Sequence, residues 1–257
     1  MKLYIYILIF LTIFFTGSFL FSDITGKEIM DEQEKRHGTA TEFTEQVMVL
    51  VDRNNNKEQR RLRWFSKEVK EGEFRYLIVF DQPDAIKGTA LLTWDYDEGE
   101  SDQWIFLPAQ KRMQRIAKGS KKGYFVGTDF TYEDLEPEDL HNFHFTVMRE
   151  EDLEGMPCWV IEAIPANKET ARQSGYKKRF LWVRKDIYFT MKIEFYNRQD
   201  VLIKTQTNHG PVNLKESLWR CNKVLMHNHK TGHKTLMAVV VRKINEAIDN
   251  QIFTERY

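Results

Sequence analysis

Two cysteines in 257 residues, Cys158 and Cys221, are too few to staple a small domain. An oxidising compartment could join them across neighbouring strands, or both could serve as small buried hydrophobes. Spacing alone leaves the two readings open. Six prolines and 13 glycines, nowhere gathered into a run, offer no linker at which to divide the chain, so residues 23–257 read as one domain. Charge of one sign is also missing, since 38 Lys and Arg balance 38 Asp and Glu. A nucleic-acid surface needs a basic surplus to displace counterions, and nucleic acid is accordingly not an expected partner.

Catalytic signatures are missing as well. There is no G-x-S-x-G elbow and no G-x-x-x-x-G-K-[ST] phosphate loop. His141 and His144 flank Phe143 without a serine or cysteine set up as a nucleophile. No enzyme activity and no cofactor are expected. The histidines of HNHKTGH (His227, His229 and His233) have acceptable spacing for three imidazoles on a metal. The hairpin supplies no carboxylate, and such tips are ordinarily solvated, so no metal is expected there.

The one long apolar run is at the start, MKLYIYILIFLTIFFTGSFLFSD. Residues 1–22 have the layout of a secretory signal, with cleavage after Ser18 or Ser22. The run also approaches bilayer-spanning length, so an uncleaved inner-membrane anchor is the alternative. Either way the rest of the chain is expected outside the cytoplasm, in the periplasm. Losing residues 1–22 removes only Lys2 and leaves a single net negative charge.

What the chain does have is rings, 18 Phe, 10 Tyr and 6 Trp, set in alternating patterns. Strands are predicted over 39–52, 60–69, 74–80, 89–96, 103–107, 112–117, 143–150, 158–164, 178–184, 187–196, 201–207, 219–227 and 234–244. Turn residues such as Glu71-Gly72 and Glu154-Gly155 separate them, which reads as a meandering antiparallel sheet, mainly β. A helix is predicted over 25–36, with Thr25 as N-cap and Glu28 three residues on as in a capping box. Two further helices are predicted over 131–142 and 245–257. The basic stretch 58–65 reads as a charge-protected edge strand or a docking site. The basic loop 117–123 reads as a solvated loop or a contact for anionic head groups.

Period-two alternation puts whole sets of rings on one face. Such a surface suits an ordinary packed core, or an open curved sheet around an apolar cavity that takes an acyl chain. On the second reading Tyr76, Leu92, Trp94, Trp104, Phe106, Phe145, Phe180 and Trp182 line the cavity.

The segment 81–135, DQPDAIKGTALLTWDYDEGESDQWIFLPAQKRMQRIAKGSKKGYFVGTDFTYEDL, resembles the LolA-like family of outer membrane lipoprotein-sorting proteins. The matching pieces are the proline turn before Lys87-Gly88-Thr89, the Trp94-Asp95 strand end, Asp102-Gln103-Trp104 running to Leu107-Pro108-Ala109, and Gly127-Thr128-Asp129-Phe130 with Tyr132-Glu133-Asp134-Leu135. The resemblance implies a curved, incomplete antiparallel barrel whose apolar cavity is covered by helices. It also implies a carrier of acylated lipoprotein or lipid cargo between the inner and outer membranes. An inner-membrane permease of the resistance-nodulation-division (RND) type would be the donor, an outer-membrane protein the acceptor, and the cover over 131–142 or the N-terminal helix the gate. The alternative is an envelope-anchored scaffold or accessory subunit of a transport complex that binds no lipid.

Overall fold

The computed structural model describes residues 24–254. Helix α1 spans Gly26–His37, and its capping box is formed: Glu28 N–H donates to Thr25 Oγ1 at 3.2 Å, and Thr25 N–H donates to Glu28 Oε2 at 2.8 Å. Six strands follow: β1 Thr41–Val51, β2 Lys57–Lys70, β3 Glu73–Gln82, β4 Ala90–Asp95, β5 Asp102–Leu107 and β6 Arg112–Arg115. A long connection, the strap (residues 116–142), leads to β7 Phe143–Leu153 and β8 Met156–Pro165, then helix α2 Lys168–Gln173. The chain finishes with β9 Lys178–Arg184, β10 Phe189–Tyr196, β11 Leu202–Lys215, β12 Leu218–Asn228 and β13 Lys234–Ile244.

All the strands join one antiparallel sheet in the order β6-β5-β4-β3-β2-β1-β13-β12-β11-β10-β9-β8-β7. β1 pairs with β13 at the centre, while β6 and β7 are the two edges and do not meet. The sheet is an incomplete barrel. Its curl is visible in the core, where Ile105 of β5, Leu91 of β4 and Ile78 of β3 share one cluster with Phe195 of β10, Met226 of β12 and Met237 of β13. Strands so far apart in the sheet meet only if the sheet bends around their side chains. The strap fills that concave side with Phe125, Phe130 and Leu135. Burying three such side chains contributes about 5–9 kcal/mol before entropy is counted.

Two of the three predicted helices are corrected. Residues 131–142 form only a 3-10 turn at Glu133–Leu135, because Glu136 precedes Pro137 and is driven to extended backbone, φ −86° and ψ 156°. In the tail only Asn250–Phe253 is helical, as a 3-10 turn; Asn245 enters it at φ 56°, and residues 255–257 lie outside those described. The tail instead presses Ile248, Ile252 and Phe253 onto the outer face of β3–β5. The stretch 58–65 belongs to β2, an interior strand paired on both sides, so it is not an edge. β11 runs eight residues beyond the predicted 201–207, through Gly210 at φ 61° and Pro211.

Cys158 and Cys221 are free and buried. They lie on β8 and β12, with three strands between, beyond disulfide reach. The N-terminal signal or anchor falls outside the described residues. Among those described, no helix is long and apolar enough to cross a membrane.

Candidate functional site

Between bulges, each strand of the curved sheet presents one parity to the concave side. On β3 that set includes Phe74, Tyr76, Ile78 and Phe80, on β4 Leu91 and Asp95, and on β13 Met237 and Val239. Helix α1 crosses the end of this surface by burying Ile29 and Met30 against Phe145, Ile161, Leu181 and Val183. Between the helix, the strap and the sheet lies a cavity of about 920 Å³. Trp64, Phe74, Tyr76, Ile193, Val224, Met237 and Val239 give its walls their apolar part, interleaved with the polar Thr44, Gln46, Gln206, Asn208 and Asn222, and Glu34, His37, Asp95 and Asp139 add charged or titratable groups.

The strap is held by polar contacts from below. Lys204 of β11 forms an ion pair with Asp134, and both side chains are only 1% exposed. Asp134 also accepts from Tyr176 Oη at 2.6 Å and from Thr131 N–H at 2.6 Å. Arg60 Nη1 donates to the Val126 carbonyl at 2.6 Å, and Thr235 Oγ1 donates to Asp129 at 2.8 Å. Arg179 Nη2 reaches Glu138 at 2.6 Å, and Lys121 pairs with Glu136. A buried charge left alone is costly, so these pairs fix where the strap sits.

Around Asp95 the cavity is electrostatically acidic. Burial, reinforced by Glu136, Asp139 and Glu34, pushes the Asp95 carboxyl up to about 7. Burial, with Asp95 next, likewise raises the Tyr76 phenol far above its ordinary value. At the last residue of α1, burial lowers His37, against the opposing pull of the carbonyls of Tyr188 and Ile187. Glu42 bridges Arg220 at 2.8 Å and Arg242 at 3.0 Å along the same wall.

Of the eight residues expected on the cavity wall, the structure places Tyr76 there. The others are corrected. Leu92, Trp94, Trp104 and Phe106 point to the outer face, packed with Leu77, Val79 and the tail's Phe253, whose carbonyl accepts from Trp94 Nε1 at 3.0 Å. Phe180 and Trp182 are also on the outer face, with Cys158 and Val160. Phe145 is on the inner face but beneath α1, sealed from the cavity by Ile29 and Met30. The physical reason is that one step along a strand exchanges its faces, and two unforeseen covers use the outer rings. One is the tail; the other is cations, Lys192 Nζ at 4.0 Å from the Trp182 ring centre and Arg75 at 5.0 Å from Trp94.

The residues missed include Trp64, Phe74, Ile193, Val224, Met237 and Val239 and the titratable Glu34, His37, Asp95 and Asp139. A usable signal existed. Leu91, Thr93 and Asp95 mix apolar and polar along one parity, as a cavity wall does, whereas the uniformly large Leu92 and Trp94 are the packed side. The His227 and His229 rings lie 4.4 Å apart, with His229 Nε2 engaged by Thr205 Oγ1 at 2.8 Å. Among the described residues no group of three or more His, Cys, Asp or Glu gathers to hold a metal.

A family model described as "uncharacterized protein" matches residues 72–257. No curated protein matches the sequence. A domain from Vibrio parahaemolyticus, described as an outer membrane lipoprotein-sorting protein, is 32% identical with a TM-score of 0.84, covering 90% of this chain and 96% of that one. Two solved structures share the fold at lower identity. A DUF1329 family protein from Desulfovibrio piger is 23% identical with TM-score 0.82, covering 89% and 95% of the two chains. A LolA superfamily protein from Nitrosomonas europaea is 20% identical with TM-score 0.70, covering 90% and 98%. At 32% identity over 90% of its length, the chain belongs to the family of the Vibrio outer membrane lipoprotein-sorting domain, and its open antiparallel barrel is the fold of the LolA superfamily protein.

Proposed function

We propose that the protein is a periplasmic carrier, not an enzyme, that holds acyl chains of lipoproteins or lipids in the concave cavity and moves them between the inner and outer membranes. An RND-type inner-membrane permease loads it and an outer-membrane acceptor unloads it. The observation that carries this reading is the cavity itself: about 920 Å³, walled by Trp64, Phe74, Ile193, Val224 and Met237, in a chain of the lipoprotein-sorting family. Small-molecule sites occupy about 300–1,000 Å³, so this one is large enough for a whole amphiphile. Each methylene moved from water into it contributes about 0.8 kcal/mol, which gives ample binding energy without covalent chemistry.

Two neighbouring residues make a sharp test. Val239 lines the cavity, whereas Val240, one step along β13, faces solvent and is 64% exposed. Val239→Asp should weaken uptake of a fluorescent fatty acid about tenfold or more, since a carboxylate set against a bound acyl chain must be desolvated. Val240→Asp should leave uptake unchanged. Native mass spectrometry of the protein purified from its own envelope should show a stoichiometric lipid or acylated peptide. Empty protein that also leaves the probe in solution would favour the scaffold reading instead.

A further inference from the structure

An imidazole is among the groups that fasten the C-terminal end of α1 to the sheet. His37 Nε2 lies 3.1 Å from the carbonyl oxygens of both Ile187 and Tyr188, at the turn between β9 and β10. Its other nitrogen, Nδ1, accepts from the backbone N–H of Trp219 on β12 at 3.2 Å. Two carbonyls on one side and an N–H on the other admit a single arrangement, a neutral ring with its proton on Nε2. A second proton would have to sit on Nδ1, facing a donor.

The charges around the ring oppose that proton. Arg36 is the preceding residue of α1 and lies over the Tyr188 ring at 4.0 Å. Arg220 of β12 donates to the His37 carbonyl at 2.9 Å, with its own partner Glu42 on β1 behind it and shared with Arg242 of β13. From β10 the ring meets Phe189, edge on at 5.2 Å. The end of β9 and the turn after it carry Arg184 paired with Asp186, and Lys185 paired with Glu150. β7 meets α1 through the apolar Phe143, Phe145 and Val147. The helix C-terminus and the two carbonyls favour a charged ring, but burial outweighs them and holds the group below its ordinary value.

The helix is seated differently at its two ends. Gly26 lies directly on the Phe145 backbone, and Ile29 and Met30 are fully buried, whereas Gln33, Glu34 and His37 line the cavity. We propose that His37 is the latch of an acid-sensitive lid: neutral, it fastens the C-terminal half of α1 over the cavity, and protonated, it frees that half to swing about the seated N-terminal turns. The latch rests on the carrier reading only for what the lid uncovers. A histidine that is kept neutral by folding contributes its stabilisation above the ordinary histidine range and loses it as pH falls. The Thr190 Oγ1 bond to Gln33 Oε1 at 2.8 Å carries no titrating group and opposes the swing, so the opening is a shift in population and not a complete release of the helix.

Amide hydrogen exchange of the mature full chain, without ligand and corrected for intrinsic rates, tests this at pH 7.5 and pH 5.0. Protection of residues 33–37 should fall about tenfold in acid while β8 and β9 stay constant. His37→Gln, which keeps a donor and an acceptor and takes up no proton, should remove the difference. Protection independent of pH in the natural protein, or an equal fall in the Gln variant, would overturn the latch. Should the variant fail to fold, the His37 ring's own NMR titration decides: a midpoint below that of a free histidine, coincident with the loss of protection, supports the latch, and a midpoint at the free value overturns it. Fatty-acid uptake at pH 7.5 reads the carrier function separately. A lid that opens in acid on a protein that takes up no probe refutes the carrier and leaves the latch standing.

Discussion

Asp95 illustrates how a single residue serves a cavity at the expense of the fold. It sits at the last position of β4 on the concave side, with Glu34, Glu136 and Asp139 around it and Lys121 already committed to Glu136. Folding raises its carboxyl to about 7 from an ordinary value of 3.8, so the folded chain holds a proton that the unfolded chain would release. Stability is therefore highest below the unfolded value and declines as pH rises through 7. Asp95→Asn should leave stability unchanged near pH 4 and raise it by about 2 kcal/mol at pH 8, read by urea denaturation at both pH values. Asp95 was visible in the sequence as part of the Trp94-Asp95 strand end, but its role was not. Alternation shows that two residues face opposite ways and says nothing of which way is inward.

At the scale of elements, the local chemistry of the chain was the most legible part. Thr25 and Glu28 announce the start of α1 because their side chains satisfy each other's backbone amides whatever the tertiary context. Thirteen strands were predicted and thirteen formed among the described residues, since β-branched and aromatic alternation between turn residues is a local signal. The failures came where distant partners decide. Pro137 ends the helical turn in the strap, and the tail spends its apolar residues on β3–β5 instead of on a helix of its own. The seat of α1 is another contact that no local pattern announces. A Cβ on Gly26 would lie 2.6 Å from the carbonyl carbon and oxygen of Phe145. Gly26→Ala should thus destabilise by about 2 kcal/mol, despite the roughly 1 kcal/mol that alanine offers a helix, and circular dichroism melts should show it.

For the whole molecule, the strap is the piece that makes a curled sheet into a container. It runs from edge strand β6 to edge strand β7 and is tied down midway by Lys204 and Asp134. Lys204→Met should cost about 3–5 kcal/mol by stranding the Asp134 carboxylate, and adding Asp134→Leu should recover part of that loss. A double-mutant cycle by chemical denaturation checks the coupling. An outcome of simple additivity would mean that the pair does not hold the strap. Lys204 appeared in the sequence as one more lysine of a strand, because its burial depends on a strap residue 70 positions earlier.

The central pairing of β1 with β13 has a kinetic consequence. On either side of that seam the sheet is a succession of hairpins, each able to zip between near neighbours in the chain. The seam itself brings Glu42 against Arg242, 200 positions away, and cannot form until almost the entire polypeptide has looped back on itself. The entropy of closing so large a loop is paid before any of the seam's contacts repay it. Two fans of strands should therefore assemble first, each with an unpaired inner edge and an exposed concave face, and wait for the other. During that interval the nascent protein presents the surfaces that later line the cavity, and it is then that it is most exposed to sticking to other chains.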